Sequence, residues 1–93
     1  MVIYQRMYNE KNIYKFYLSP YVEYYVDDLK ICLYNFESEK IVQLKIKNGE
    51  ILIKDLKNGM THDELNQKLL DLFGERELAE KILILLIQNK IIE

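Results

Sequence analysis

Residues 41–64, IVQLKIKNGEILIKDLKNGMTHDE, change their period halfway along. Val42, Leu44 and Ile46 alternate with Gln43 and Lys45, the two-residue repeat of a strand with one face in a core. From Asn48 onward the apolar residues Ile51, Leu52 and Leu56 recur at helical spacing, and Asn58-Gly59 predicts a helix end on a left-handed residue. Thr61-His62-Asp63-Glu64 reads as a capping box: the Thr61 hydroxyl accepts from the amide of Glu64, and the Glu64 carboxylate accepts from the amide of Thr61. Strands therefore precede helices, and the class is α+β.

Upstream of this stretch the chain is β-like. All eight tyrosines (Tyr4, Tyr8, Tyr14, Tyr17, Tyr21, Tyr24, Tyr25 and Tyr34) fall in the first 34 residues, with Pro20 the sole proline. Aromatic and β-branched residues favour strands. We read strands at Tyr21–Val26, Leu29–Tyr34 and Ile41–Ile46, joined by turns at Asp27-Asp28 and at Asn35, Glu37, Ser38 and Glu39. Residues 1–20 read as a β-rich extension. Val2–Tyr8 and Ile13–Leu18 would pair there as a hairpin around the polar Asn9–Asn12, and the tyrosines are expected to be mostly half-buried sheet residues.

Downstream, helices are expected at about residues 48–57, 61–73 and 76–89. Leu65, Leu69, Leu70 and Phe73 form the apolar stripe of the second, which Gly74 stops. The third contains EKILILLIQNKIIE, residues 80–93, with six consecutive aliphatic side chains from Ile82 to Ile87. On a wheel of about 100° per residue, Leu78, Ile82, Leu85 and Leu86 cluster as the core face, with Ala79 at its edge. Leu83, Ile84 and Ile87 fall on the other side, near Glu80. That second apolar face needs a cover, since sizeable exposed apolar patches are uncommon on monomers. The N-terminal hairpin or a second subunit would provide one. Ile91-Ile92 follow as a short extended tail.

Composition sets the limits on function. Ninety-three residues with 49% hydrophobic and 30% charged side chains suit one globular domain rather than a disordered chain. The longest apolar run is far short of a membrane span, and MVIYQRMYNEK lacks the features of a signal peptide, so a cytoplasmic protein with no membrane partner is expected. Cys32 is the only cysteine, which rules out an intramolecular disulfide and a thiolate metal cluster. Residues 61–93 hold four Lys/Arg against seven Asp/Glu. Nucleic-acid partners are not expected, because a reading helix needs a basic stripe to neutralise phosphates.

Chemistry-bearing residues are sparse. His62 has no second His or Cys with which to hold a metal. Cys32, flanked by Ile31 and Leu33 within a strand, reads as inert packing. Asp27 and Asp28 are adjacent turn residues whose carboxylates point apart. No phosphate loop, nucleophile motif or metal-ligand spacing occurs, and the reading is of a protein that is not an enzyme and has no cofactor.

From Tyr21 to Glu93, three strands and then three helices form a winged helix-turn-helix-like list that resembles the RiPP recognition element. This is the PqqD-like leader-peptide-binding domain of peptide natural-product biosynthesis. The resemblance sits in Leu44, Asn48-Gly49-Glu50-Ile51-Leu52, Leu56, Gly59, Thr61, Leu65 and Leu69-Leu70, and continues through Leu78, Ile82, Leu85 and Gln88–Ile92. Lys90 stands where the family commonly has glycine, and the first 20 residues have no obvious counterpart.

The resemblance implies a non-catalytic domain that captures the leader of a ribosomally made precursor peptide. The leader adds as an antiparallel strand and is delivered to a modifying enzyme such as a radical SAM enzyme, a cyclodehydratase, a dehydratase or a leader peptidase. Carried onto this chain, the pairing edge is Ile41, Val42, Gln43, Leu44, Lys45 and Ile46, and the groove wall is Glu80, Leu83, Ile84 and Ile87. Two other readings stay open. One is a structural homodimer or adaptor subunit packed through the second face of the third helix; the other, which the charge disfavours, is a winged-helix DNA-binding regulator.

Overall fold

The computed structural model describes residues 14–93. In chain order the elements are β1 (Lys15–Phe16), β2 (Val22–Val26), β3 (Lys30–Asn35), β4 (Lys40–Lys45), α1 (Gly49–Asn58), β5 (Met60–Thr61), α2 (His62–Phe73) and α3 (Arg76–Gln88). The chain is thus α+β, a three-stranded antiparallel sheet followed by three helices, as the change of period predicts.

β2, β3 and β4 form the sheet in that order, with Tyr24 opposite Leu33 and Leu33 opposite Val42. One face is covered by the helices. Ile31, Leu33, Val42, Leu44 and Ile46 project into it and join Leu52, Ile53, Leu56, Leu65, Leu69, Ile82 and Leu86 in a single core. The Asp27-Asp28 turn is built as expected, with Asp27 Oδ1 accepting from the amides of Leu29 (2.8 Å) and Lys30 (2.9 Å). Among the described residues nothing covers the other sheet face. For that reason the tyrosines are more exposed than expected: Tyr25 is 60% accessible and Tyr34 39%. Cys32 is half-buried on this outer face rather than packed in the core.

Helix ends follow local chemistry. The capping box of α2 is complete: Thr61 Oγ1 accepts from Glu64 N at 3.2 Å and Glu64 Oε1 accepts from Thr61 N at 2.9 Å. Gly74 ends α2 with its amide donating to the Leu70 carbonyl. At the end of α1, Gly59 has φ 95° and ψ 135°, a positive φ but not the left-handed helical state expected of it. The Tyr17 ring lies 2.6 Å from where a Gly59 Cβ would sit, so this turn needs glycine for space as well as for its dihedral.

Residues 14–20 are joined to the rest of the fold. Lys15 and Phe16 pair with Thr61 and Met60. Tyr17 and Glu93 exchange backbone hydrogen bonds of 2.8 and 2.9 Å, Leu18 N donates to the Leu56 carbonyl, and Ser19 N donates to the Ile91 carbonyl. The described part of the predicted second hairpin strand therefore pairs with β5 and with the C-terminal tail; Val2–Tyr8 lies outside the described residues.

The main correction concerns α3. Its buried residues are Ala79, Ile82, Leu83 and Leu86. Leu83, assigned to the outer face, is 5% exposed, whereas Leu78 (39%) and Leu85 (38%), assigned to the core, are largely accessible. The stripe is turned by about a fifth of the wheel. Counting leucines gave Ala79 little weight, but a small residue is what a close helix approach selects.

Candidate functional site: the β4 edge and the flank of α3

Among the described residues β4 has one neighbouring strand, β3. Ile46 donates its amide to the Leu29 carbonyl at 2.9 Å. By the two-residue repeat of an antiparallel ladder, Lys40, Val42 and Leu44 then bond to β3, while the N–H and C=O groups of Ile41, Gln43 and Lys45 point the other way. Among the described residues no strand takes them up.

α3 runs antiparallel to β4, from the Lys45 end of the sheet to the Asn35 end. At one end Asp71 and Leu72, just before α3 begins, line a depression with Lys45, Ile46 and Lys47. At the other, Asn35, which pairs with Lys40, donates from Nδ2 to the Lys90 carbonyl just after α3 ends, at 2.7 Å. Thirteen helical residues and six strand residues both span about 20 Å, so the lengths match.

Handedness decides which flank of α3 overlooks the edge. Viewed from the helix layer with β3 running upward, buried Asn35 points its side chain at the viewer and its backbone groups toward β4. For an L-residue that places β4 on the right and β2 on the left. α3 also runs upward with its buried face to the sheet. The right-handed winding therefore carries Leu78 and Leu85 to the right, above the free edge, and Glu80 and Ile87 to the left. Ile87 accordingly shares a depression with Phe16, Tyr21 and Ile92 on the β1–β2 side.

The ten residues that the resemblance carried over are thus divided. Val42, Leu44 and Ile46 are buried in the core, and Ile41, Gln43 and Lys45 carry the outward backbone groups, Ile41 with 62% of its surface accessible. On α3, Leu83 is core, Ile84 faces away from the sheet at 52% exposure, and Glu80 and Ile87 lie on the flank turned from β4. Leu78 and Leu85 overlook the edge in their place.

Four lysines lie around the edge, with Asp27 and Asp71 at its Lys45 end. Lys40 and Lys45 lie on β4, Lys47 just beyond it and Lys81 on the same flank of α3 as Leu78 and Leu85. None forms a salt bridge among the described residues, where the ion pairs are Lys68–Asp55 at 2.8 Å and His62–Asp63 at 3.7 Å. Also among the described residues, no three His, Cys, Asp or Glu side chains group as a metal site would need, and no helix is long and apolar enough to cross a membrane. The arrangement offers backbone hydrogen bonds and apolar contact. No protein-family model, curated protein or solved structure matches the chain.

Proposed function

We propose that this chain is a non-catalytic peptide-binding protein of the RiPP recognition element kind, with the winged helix-turn-helix-like architecture of that family. It takes up the leader of a precursor peptide as a fourth strand on β4 and delivers it to a modifying enzyme. The observation that carries this reading is the row of outward N–H and C=O groups at Ile41, Gln43 and Lys45, overlooked by Leu78 and Leu85. Main-chain pairing supplies affinity in such a mode, and side chains facing the helix supply selectivity. Burying two or three apolar side chains there contributes roughly 1.5 to 3 kcal/mol each before ordering costs.

The test uses linear peptides selected from a phage-displayed library against the full chain. Bound peptide should slow amide exchange at Ile41, Gln43 and Lys45 while leaving Val42 and Leu44, already paired, little changed. Gln43→Pro removes an outward donor that no β3 carbonyl uses, and should weaken binding with the circular dichroism retained. Leu85→Glu should lose at least about tenfold in affinity by fluorescence anisotropy, with Glu77→Lys close to wild type. Uniform exchange along β4 with peptide bound would reject strand addition. A tight dimer by sedimentation that ignores every peptide would favour the homodimer reading.

A further inference from the structure

The outer face of the sheet sets what the added strand should carry. Cross-strand neighbours there form three rows: Glu23–Tyr34–Ile41, Tyr25–Cys32–Gln43 and Lys30–Lys45. The last is a like-charge pair. Lys30 and Lys45 lie directly opposite each other on one face, an arrangement that destabilises a sheet. Neither has a carboxylate within salt-bridge distance among the described residues. Lys47 lines the same depression. Asp27 and Asp71 line it too, but the Asp27 Oδ1 accepts from the amides of Leu29 and Lys30, and the Asp71 Oδ1 accepts from Gln67 Nε2 at 2.9 Å.

We infer that the peptide strand added to β4 carries a carboxylate opposite Lys45 and, four residues later, an apolar or aromatic residue opposite Ile41. This rests on the strand-addition reading and specifies its substrate. A carboxylate at that position gives Lys45 an opposite-charge cross-strand neighbour, which offsets its repulsion from Lys30. At the far end, exposed Ile41 and Tyr34 gain a third apolar neighbour. An antiparallel strand passes Lys45 before Ile41, so the acid is on the N-terminal side. Its second and fourth residues, opposite Leu44 and Val42, face the helix layer beneath Leu78 and Leu85 and should be apolar. The third, opposite Gln43, is unrestricted. The pattern is acid, apolar, any, apolar, apolar.

The probes are fluorescein-labelled nonapeptides with Asp-Leu-Ser-Leu-Tyr at their centre, a version with Asn for Asp, and one with Lys for Asp. Each is titrated into the full chain and followed by anisotropy at low and at physiological salt. The Asp peptide should bind about three- to tenfold tighter than the Asn peptide, more so at low salt. Lys45→Glu should reverse the order, now favouring the Lys peptide. Lys30→Gln, a milder change should Lys45→Glu fold poorly, should shrink the preference. If the Asp and Asn peptides bind equally while both slow exchange at Ile41, Gln43 and Lys45, the acidic position is wrong and strand addition stands. If none of the peptides slows that exchange, strand addition fails and this inference fails with it.

Discussion

Lys90 has φ 57°, a left-handed conformation that L-residues with a Cβ rarely adopt. Its neighbours require it. Lys90 N donates to the Ile87 carbonyl and Ile91 N to that of Leu86, the paired bonds of a Schellman ending, and the motif's apolar contact falls between Leu86 and Ile91, both fully buried. The resemblance leads one to expect glycine here, and the geometry is what glycine would adopt freely. Lys90→Gly should therefore stabilise the fold by about 0.5–1 kcal/mol, the relieved strain exceeding glycine's extra entropy when unfolded. A higher urea midpoint at unchanged slope is the expected readout. Gly49 is the opposite case. A Cβ there would lie 2.3 Å from Ile31 Cγ1, and Ile31 is fully buried with a stiff branched side chain. Gly49→Ala should cost about 1–3 kcal/mol by urea unfolding although alanine is the better helix former. Neither role is legible in sequence, because both depend on what the fold brings alongside. Asn35 is similar: read as a turn residue, it is buried, caps the β3–β4 turn through Oδ1 to the amides of Glu37 and Ser38, and holds the Lys90 carbonyl.

At the level of elements, period and punctuation were nearly sufficient. The strand expected at 41–46 spans 40–45 and the helix expected at 61–73 spans 62–73, since alternation, the capping box and Gly74 are local signals that tertiary contacts need not override. The rotation of α3 was not legible. With six aliphatic residues in a row, a helix shows no polar gap from which to fix its buried face, and only the neighbours decide. The two central residues make this measurable. Leu83→Ala should cost about 2–5 kcal/mol as a core truncation, whereas Ile84→Ala should stay within about 0.5 kcal/mol. Equal effects in thermal or urea unfolding would mean that α3 is turned differently. The same rotation decides the candidate site, because it replaces Leu83, Ile84 and Ile87 by Leu78 and Leu85 beside β4.

Across the whole molecule, long-range backbone bonds were the least legible feature. Aromatic density marked residues 13–18 as extended, but extended chain can pair with any free edge, and sequence does not say which. The described residues pair with β5 and with the C-terminal tail. Tyr17, Leu18 and Ser19 run antiparallel to Ile91, Ile92 and Glu93, and Ile91 and Ile92 are buried behind them. This clasp has a mechanical consequence. Tension applied between residues 17 and 93 would load the Tyr17–Glu93 bonds first and then those further in, one after another, as a zipper opens. The strands would not be sheared with all their bonds sharing the load. Peeling the tail would next withdraw Ile91 and Ile92 from the core and free the Lys90 carbonyl from Asn35, loosening the end of the sheet where β3 meets β4. A machine pulling on the C-terminal tail would therefore dismantle the fold from that corner and reach the β3–β4 end of the sheet early, without first having to break the helix packing.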